Sequence, residues 1–246
     1  MQNIIPMPEG TGQRPRLRAV LFDMDGVLFD SMPAHAQSWA KVATHFGLTM
    51  TPSEAYLHEG RTGEATINIL AQRYWGRNAT AEEQRDIYAL KCEEFNKYPE
   101  APKMPGAESL LRQVKAMGLT IVVVTGSGQQ SLLSRLQTHY PGFFRPDLIV
   151  SSADVKRGKP APDPYLMGLE KAGCRPDEAI VVENAPLGVQ AARAAGIYTL
   201  AANTGPLDPQ VLTDAGAQQV FPSMQALSDA WSGLFEATTA YPPTHI

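Results

Sequence analysis

Short apolar runs rich in Val, Ile and Leu recur at 17–22, 120–124, 148–150, 179–182 and 197–201, with a weaker one at 219–221. Runs of this length, with β-branched members and turn residues at their ends, predict strands buried on both faces. Most are separated by segments of helical spacing, at 106–117, 129–139, 164–172 and 188–195. Strand and helix in alternation predict a Rossmann-like α/β core, a parallel sheet with helices on both faces.

The segment 32–103 breaks this alternation. Its apolar positions, among them Trp39, Val42, Ala43 and Phe46, recur at helical spacing, and helices are predicted over 33–46, 52–58, 64–75 and 80–98. Thr80 and Glu83 have the spacing of a capping box, and Asp30 is placed to cap the first of these helices. Trp39, Phe46, Tyr74 and Trp75 are assigned to a small separate core. The expected organisation is a flexible tail over 1–17, a core domain of 18–31 and 104–246, and an inserted helical cap domain over 32–103. Pro99, Pro102 and Pro105 stiffen the return from the cap to the core.

Composition narrows the classes. The chain has 246 residues, 43% of them hydrophobic, with a net charge of −4. There is no basic stripe to suggest a nucleic-acid partner and no apolar run long enough to span a membrane. The first residues lack the apolar stretch of a signal peptide. Cys92 and Cys174 make no metal-ligand pattern, so a cytoplasmic setting is expected.

The chemistry gathers where the predicted strands end. Asp23 and Asp25 follow the first run, with Gly26 allowing a sharp turn. One carboxylate of such a pair can attack phosphorus, the other can handle the proton, and both can hold Mg²⁺. Thr125, Gly126 and Ser127 after the second run offer hydroxyls and backbone amides to phosphate oxygens. Lys159, in the Pro-stiffened stretch Arg157-Gly-Lys-Pro-Ala-Pro, supplies a cation. Glu183 and Asn184 close the fourth run with oxygen ligands suited to Mg²⁺. Each piece is weak alone; in this order, each at a strand end, they form one constellation. A phospho-receiver module also combines acids, Thr and Lys, but Asp25 and the helical insert argue against it.

This constellation resembles the haloacid dehalogenase-like superfamily over about residues 18–222. The DxDGV form, His35, Trp39, the GKPxPxPY string and the final AAxxAG resemble its β-phosphoglucomutase-like subgroup. Within that subgroup, Glu59-Gly-Arg-Thr62, VTGSGQ, ENAPLGV and NTGPLD are similar to the Bacteroidetes-type inorganic pyrophosphatases. The resemblance implies Asp23 as the nucleophile that forms an aspartyl-phosphate and Asp25 as the acid and then the base. It implies Mg²⁺ held by Asp23, the Asp25 carbonyl and Asn184, with Glu183 orienting metal-bound water. Thr125, Gly126, Ser127 and Lys159 would hold the phosphoryl group, and His35, Arg61 and Lys91 would face the substrate from the cap.

The chain departs from the subgroup where Glu183-Asn184 stands in place of Glu-Asp. The lost charge is restored if Glu59 of the cap loop reaches the metal on closure. That would crowd a sugar ring and suit a small, highly charged substrate, so hydrolysis of inorganic pyrophosphate is expected. A sugar-phosphate phosphatase or a phosphoglucomutase is the alternative. Because the cap must move freely, a monomer is expected. His45, His58, His139 and His245 show no partner pattern.

Overall fold

The computed structural model describes residues 17–127 and 131–236; the expected tail, apart from Leu17, and His245 lie outside them. Six strands form one parallel sheet: β1 (Ala19–Phe22), β2 (Thr120–Val124), β3 (Ile149–Val150), β4 (Ala179–Glu183), β5 (Tyr198–Ala202) and β6 (Gln219–Phe221). Their order is β3-β2-β1-β4-β5-β6. The chain builds outward from β1 in one direction and then returns to build the other half from β4. The switch point, where such sheets open a crevice for ligands, therefore lies between β1 and β4. Phe22 pairs with both Val123 and Val182, so the ends of β1, β2 and β4 are level.

The central strands are buried on both faces, as their unbroken apolar sequence requires. One face packs on α5 (Ala107–Ala116) and α10 (Met224–Ala230), with Trp231 fully enclosed. The other packs on α7 (Asp163–Ala172) and α8 (Pro186–Ala194). α6 (Ser131–His139), α9 (Pro209–Asp214) and α11 (Gly233–Glu236) complete the core.

The insert is helical, as its periodicity predicts: α1 (Met32–His45), α2 (Pro52–Leu57), α3 (Gly63–Trp75) and α4 (Ala81–Asn96). They bury Val42, Ala43, Leu48, Ile67 and Leu70 among themselves, with Trp39, Phe46 and Trp75 packed alongside. The Thr80–Glu83 capping box forms in full. Two expectations fail here. Tyr74 is 44% exposed and lies outside the cap core, because it falls on the outer side of α3. Asp30 does not cap α1: the cap position is Ser31, whose hydroxyl bonds Asp25 instead, while the Asp30 N–H is tied to Pro102 O.

Elements α9, α10 and α11 are too short for periodicity to mark. α8 starts two residues earlier than predicted, with Pro186 at its first position, where a missing N–H does no harm. Among the described residues no helix is long and apolar enough to cross a membrane, and Cys92 and Cys174 form no disulfide.

Candidate active site

Asp23 extends β1 by one residue, its N–H held by Val182 O at 3.0 Å, and its side chain is buried. Lys159 reaches it from the loop before α7. The ammonium bonds Asp23 Oδ1, Glu183 Oε1 at 2.7 Å and Val124 O at 3.1 Å, which satisfies all three of its protons. Burial works against this cation, but Asp23 and Glu183 outweigh it and raise its pKa. Burial also pushes the Asp23 carboxyl up, to about 8, against the pull of Lys159.

Glu183 ends β4 with its carboxylate saturated by protein donors. Besides Lys159, it accepts from the Tyr165 hydroxyl at 2.7 Å and from the N–H groups of Asn184 and Ala185 at 2.9 and 3.2 Å. Gly188 makes room for it: a Cβ there would lie 1.7 Å from Glu183 Oε1. Tyr165 was not assigned a role from sequence, although it closes the GKPxPxPY string. Its partner is 18 positions away, beyond the reach of any local pattern.

The turn after Asp23 brings Asp25 back toward the cap. Its Oδ1 accepts from the Ser31 hydroxyl at 2.5 Å and lies 3.4 Å from His35 Nε2. On the other side of that ring, the Lys91 ammonium donates to Nδ1 at 2.7 Å. This fixes the neutral tautomer with its proton on Nε2, facing Asp25. Burial opposes the charge on Asp25, but His35, Ser31 and Lys91 prevail and hold its pKa at about 2. Burial brings Lys91 down to about 8. His35 is lowered by burial and then by Lys91. His35 and Lys91 thus reach the site as a chain ending on Asp25.

Glu59 descends from the loop after α2 onto the core, 7% exposed. Its Oε1 accepts from Asn184 Nδ2 at 2.9 Å, so the cap is closed on the core in this structure. Burial, then the negative charge of Asp23, raises its pKa well above the carboxylate range. Gly26, at φ +79°, gives Asn184 its place: a Cβ there would lie 2.0 Å from Asn184 Nδ2.

Among the described residues no cluster of three His, Cys, Asp or Glu side chains is arranged around a metal. The expected donor set is of another kind: the carboxylates of Asp23 and Glu59, the Asp25 backbone carbonyl and the Asn184 amide oxygen. One observation fits it to a hard cation. Asn184 Oδ1 is buried with no partner, beside Asp23 and Glu59, two carboxyls whose charge is opposed by burial. An oxygen-loving cation there would satisfy all three.

Between cap and core lies a cavity of about 70 Å³. Asp23, Asp25, Gly126 and Ser127 line its core side; His35, Glu59, Arg61 and Lys91 line the cap side, beside Trp39, Met50 and Tyr88. Thr125, Lys159, Glu183 and Asn184 lie buried beneath it. The Thr125 hydroxyl accepts from Ser127 N–H at 3.1 Å, which shapes the Gly126 turn. His58, given no role from sequence, also lines the cavity, and its Nδ1, like Arg61 Nε, is buried without a partner.

Comparison with known proteins places the chain in a family. Residues 20–202 match the family model of the haloacid dehalogenase-like hydrolases. Hexitol phosphatase A of Escherichia coli is 32% identical over 76% of this chain and 84% of its own length. A phosphorylated carbohydrates phosphatase of Thermotoga maritima is 29% identical over 82% of this chain and 92% of its own. The solved structure of a candidate β-phosphoglucomutase from Bacteroides vulgatus superposes with a TM-score of 0.87. It shares 55% identity over 90% of each chain. With the family's model covering the cap and the sheet from β1 to β5, this chain belongs to the haloacid dehalogenase-like hydrolases, in their β-phosphoglucomutase-like subgroup.

Proposed function

We propose that this protein is a phosphohydrolase of small phosphorylated compounds that works through an aspartyl-phosphate on Asp23. The observation that carries the reading is the buried Asp23–Lys159 pair at the switch point of the sheet, with Asp25 one turn away. Lys159 keeps a carboxylate and a phosphoryl dianion from repelling each other, and Gly126 and Ser127 offer donors on the same side. Asp23, the Asp25 carbonyl, Asn184 Oδ1 and, with the cap closed, Glu59 would hold Mg²⁺, which would neutralise charge on the transferring group. Asp25, held ionised by His35 and Ser31, is prepared to take a proton from the water that hydrolyses the aspartyl-phosphate.

Two substrate classes come into question. Phosphorylated sugars or sugar alcohols are the first. The names of the relatives support them, as does the apolar and aromatic lining by Trp39, Met50 and Tyr88. Inorganic pyrophosphate is the second, favoured by Glu59. A carboxylate pressed onto Asn184 occupies space next to the nucleophile and adds a metal-seeking charge. The unpaired Arg61 Nε beside it suits a second phosphate. An ionised Asp25 also suits a leaving group that needs little acid assistance.

Phosphate release with Mg²⁺ would decide between them, comparing kcat/KM for pyrophosphate, hexitol and sugar phosphates and β-glucose 1-phosphate. A hundredfold preference, about 2.7 kcal/mol of transition-state discrimination, names the class. Under the pyrophosphate reading Glu59→Ala abolishes that preference; intact pyrophosphate turnover in the variant removes it. Isomerisation of β-glucose 1-phosphate without net phosphate release would make the chain a mutase, and no turnover of any compound would sink the proposal.

A further inference from the structure

Three glycines on separate core loops receive the cap. A Cβ at Gly126 would lie 2.5 Å from Gly60 O, one at Gly158 2.6 Å from Thr62 Cγ2, and one at Gly205 2.8 Å from Tyr56 Cδ1. The first two flank Thr125 and Lys159 and belong to the site already described. The third does not. Gly205 sits in the loop between β5 and α9, and Tyr56 lies on α2, three residues before Glu59. Its neighbour Thr204 donates its hydroxyl to Gly26 O at 2.7 Å, the carbonyl directly after Asp25. The loop is itself fixed, by Asn203 N–H on Phe221 O at 2.8 Å and Asn203 Nδ2 on Leu207 O at 2.8 Å.

We infer that Thr204 and Gly205 are positioning residues for the reaction: one rigid loop sets the Asp25–Gly26 turn through Thr204 and seats the closing cap through Gly205. This rests on the phosphohydrolase reading above. The physical case is one of two contacts sharing one support. The NTG run that carries them matches no ligand or phosphate pattern of its own, yet it touches both halves of the site. Gly205 does not have the left-handed backbone that glycine alone adopts readily. Alanine therefore fits the loop by itself, and the Tyr56 ring is what its methyl would meet. The absence of a side chain matters only when the cap is down. In the same way, the Thr204 hydroxyl bonds a carbonyl that valine, its isostere, would leave without this donor.

The test uses the full chain. Gly205→Ala should lower kcat/KM about tenfold or more, as an overpacked contact does, with the melting temperature of the wild type. Tyr56→Ala removes every ring atom that the methyl would meet, so the double variant Gly205→Ala/Tyr56→Ala should match Tyr56→Ala alone. A fully active Gly205→Ala, or a loss that persists in the double variant, overturns the seat. Small-angle scattering with Mg²⁺ and inorganic phosphate reads closure without turnover. The wild type should contract and Gly205→Ala should not; equal contraction overturns the inference even if the functional reading stands. If the wild type turned over nothing, that reading would fail while the scattering comparison still judged the seat. Thr204→Val should lower kcat with KM unchanged and Thr204→Ser should restore it; full activity in Thr204→Val refutes the Thr204 half.

Discussion

Replacing Tyr165 with phenylalanine tests whether the buried acid Glu183 is held by its donors or merely accompanied by them. The phenol is fully enclosed and its hydroxyl donates to Glu183 Oε1 at 2.7 Å, the same oxygen that accepts from Lys159. Phenylalanine keeps the ring and removes one oxygen, so the void left is small. What is lost is a hydrogen bond to a buried charge, about 1.5–3 kcal/mol. For a chain of this length each kcal/mol moves the melting temperature by about 2–4 °C, so a fall of about 3–12 °C is expected in a thermal scan. Glu183→Gln should fall further. It removes one of the two anions that neutralise Lys159, and breaking a buried ion pair costs about 3–5 kcal/mol. A Tyr165→Phe protein melting within about 1 °C of the wild type would refute the account. A full fall in stability with unchanged phosphate release would show that Lys159 keeps its aim without Tyr165.

Other outcomes follow from the same geometry. Asp23→Asn should end turnover while the protein still melts cooperatively, because Lys159 keeps Glu183; near-normal phosphate release would remove Asp23 as nucleophile. Lys91, lowered to about 8, is charged below that pH and loses its proton as pH rises through it, so the bond to His35 Nδ1 loses its charge and the His35–Asp25 chain its cation. In saturating Mg²⁺, which would keep Asp23 ionised, the kcat/KM profile should therefore fall above about pH 8, and Lys91→Met should lower the plateau and erase that limb. A wild-type profile flat well beyond pH 8 would rule this out.

The sheet and the four cap helices were legible because periodicity reports on burial, and burial governs those elements. The positions of Asp23, Asp25 and Asn184 were legible too, since each follows a strongly marked run, and Lys159 stood out by its Pro-stiffened stretch, although it lies in the loop before α7 and not at a strand end. What the sequence hid was partnership. That Lys91 serves His35, that Ser31 serves Asp25 rather than capping α1, and that Tyr165 serves Glu183 are facts of the third dimension. The cap loop lay between these cases. Glu59 could be singled out by its place after α2, but His58 beside it gave no sign that it lines the cavity. Tyr74 was misplaced for the opposite reason: an aromatic next to Trp75 looks like core until the helix phase is known.

The order of strands also bears on how the protein is made. β1 emerges first, yet Ala19 pairs with Thr120 on one side and Ala179 on the other. At ribosomal speeds of about 5–20 residues per second, the second neighbour follows on the order of ten to thirty seconds later. The cap helices bury their apolar residues mainly on one another and can collapse as soon as they are made. While the cap helices collapse on one another, the nascent chain holds an unpaired apolar segment, Ala-Val-Leu-Phe, with the aspartate that follows it still in water. The strand at the centre of the finished sheet is the one that waits longest for its neighbours, and it is the segment a chaperone would have most time to meet.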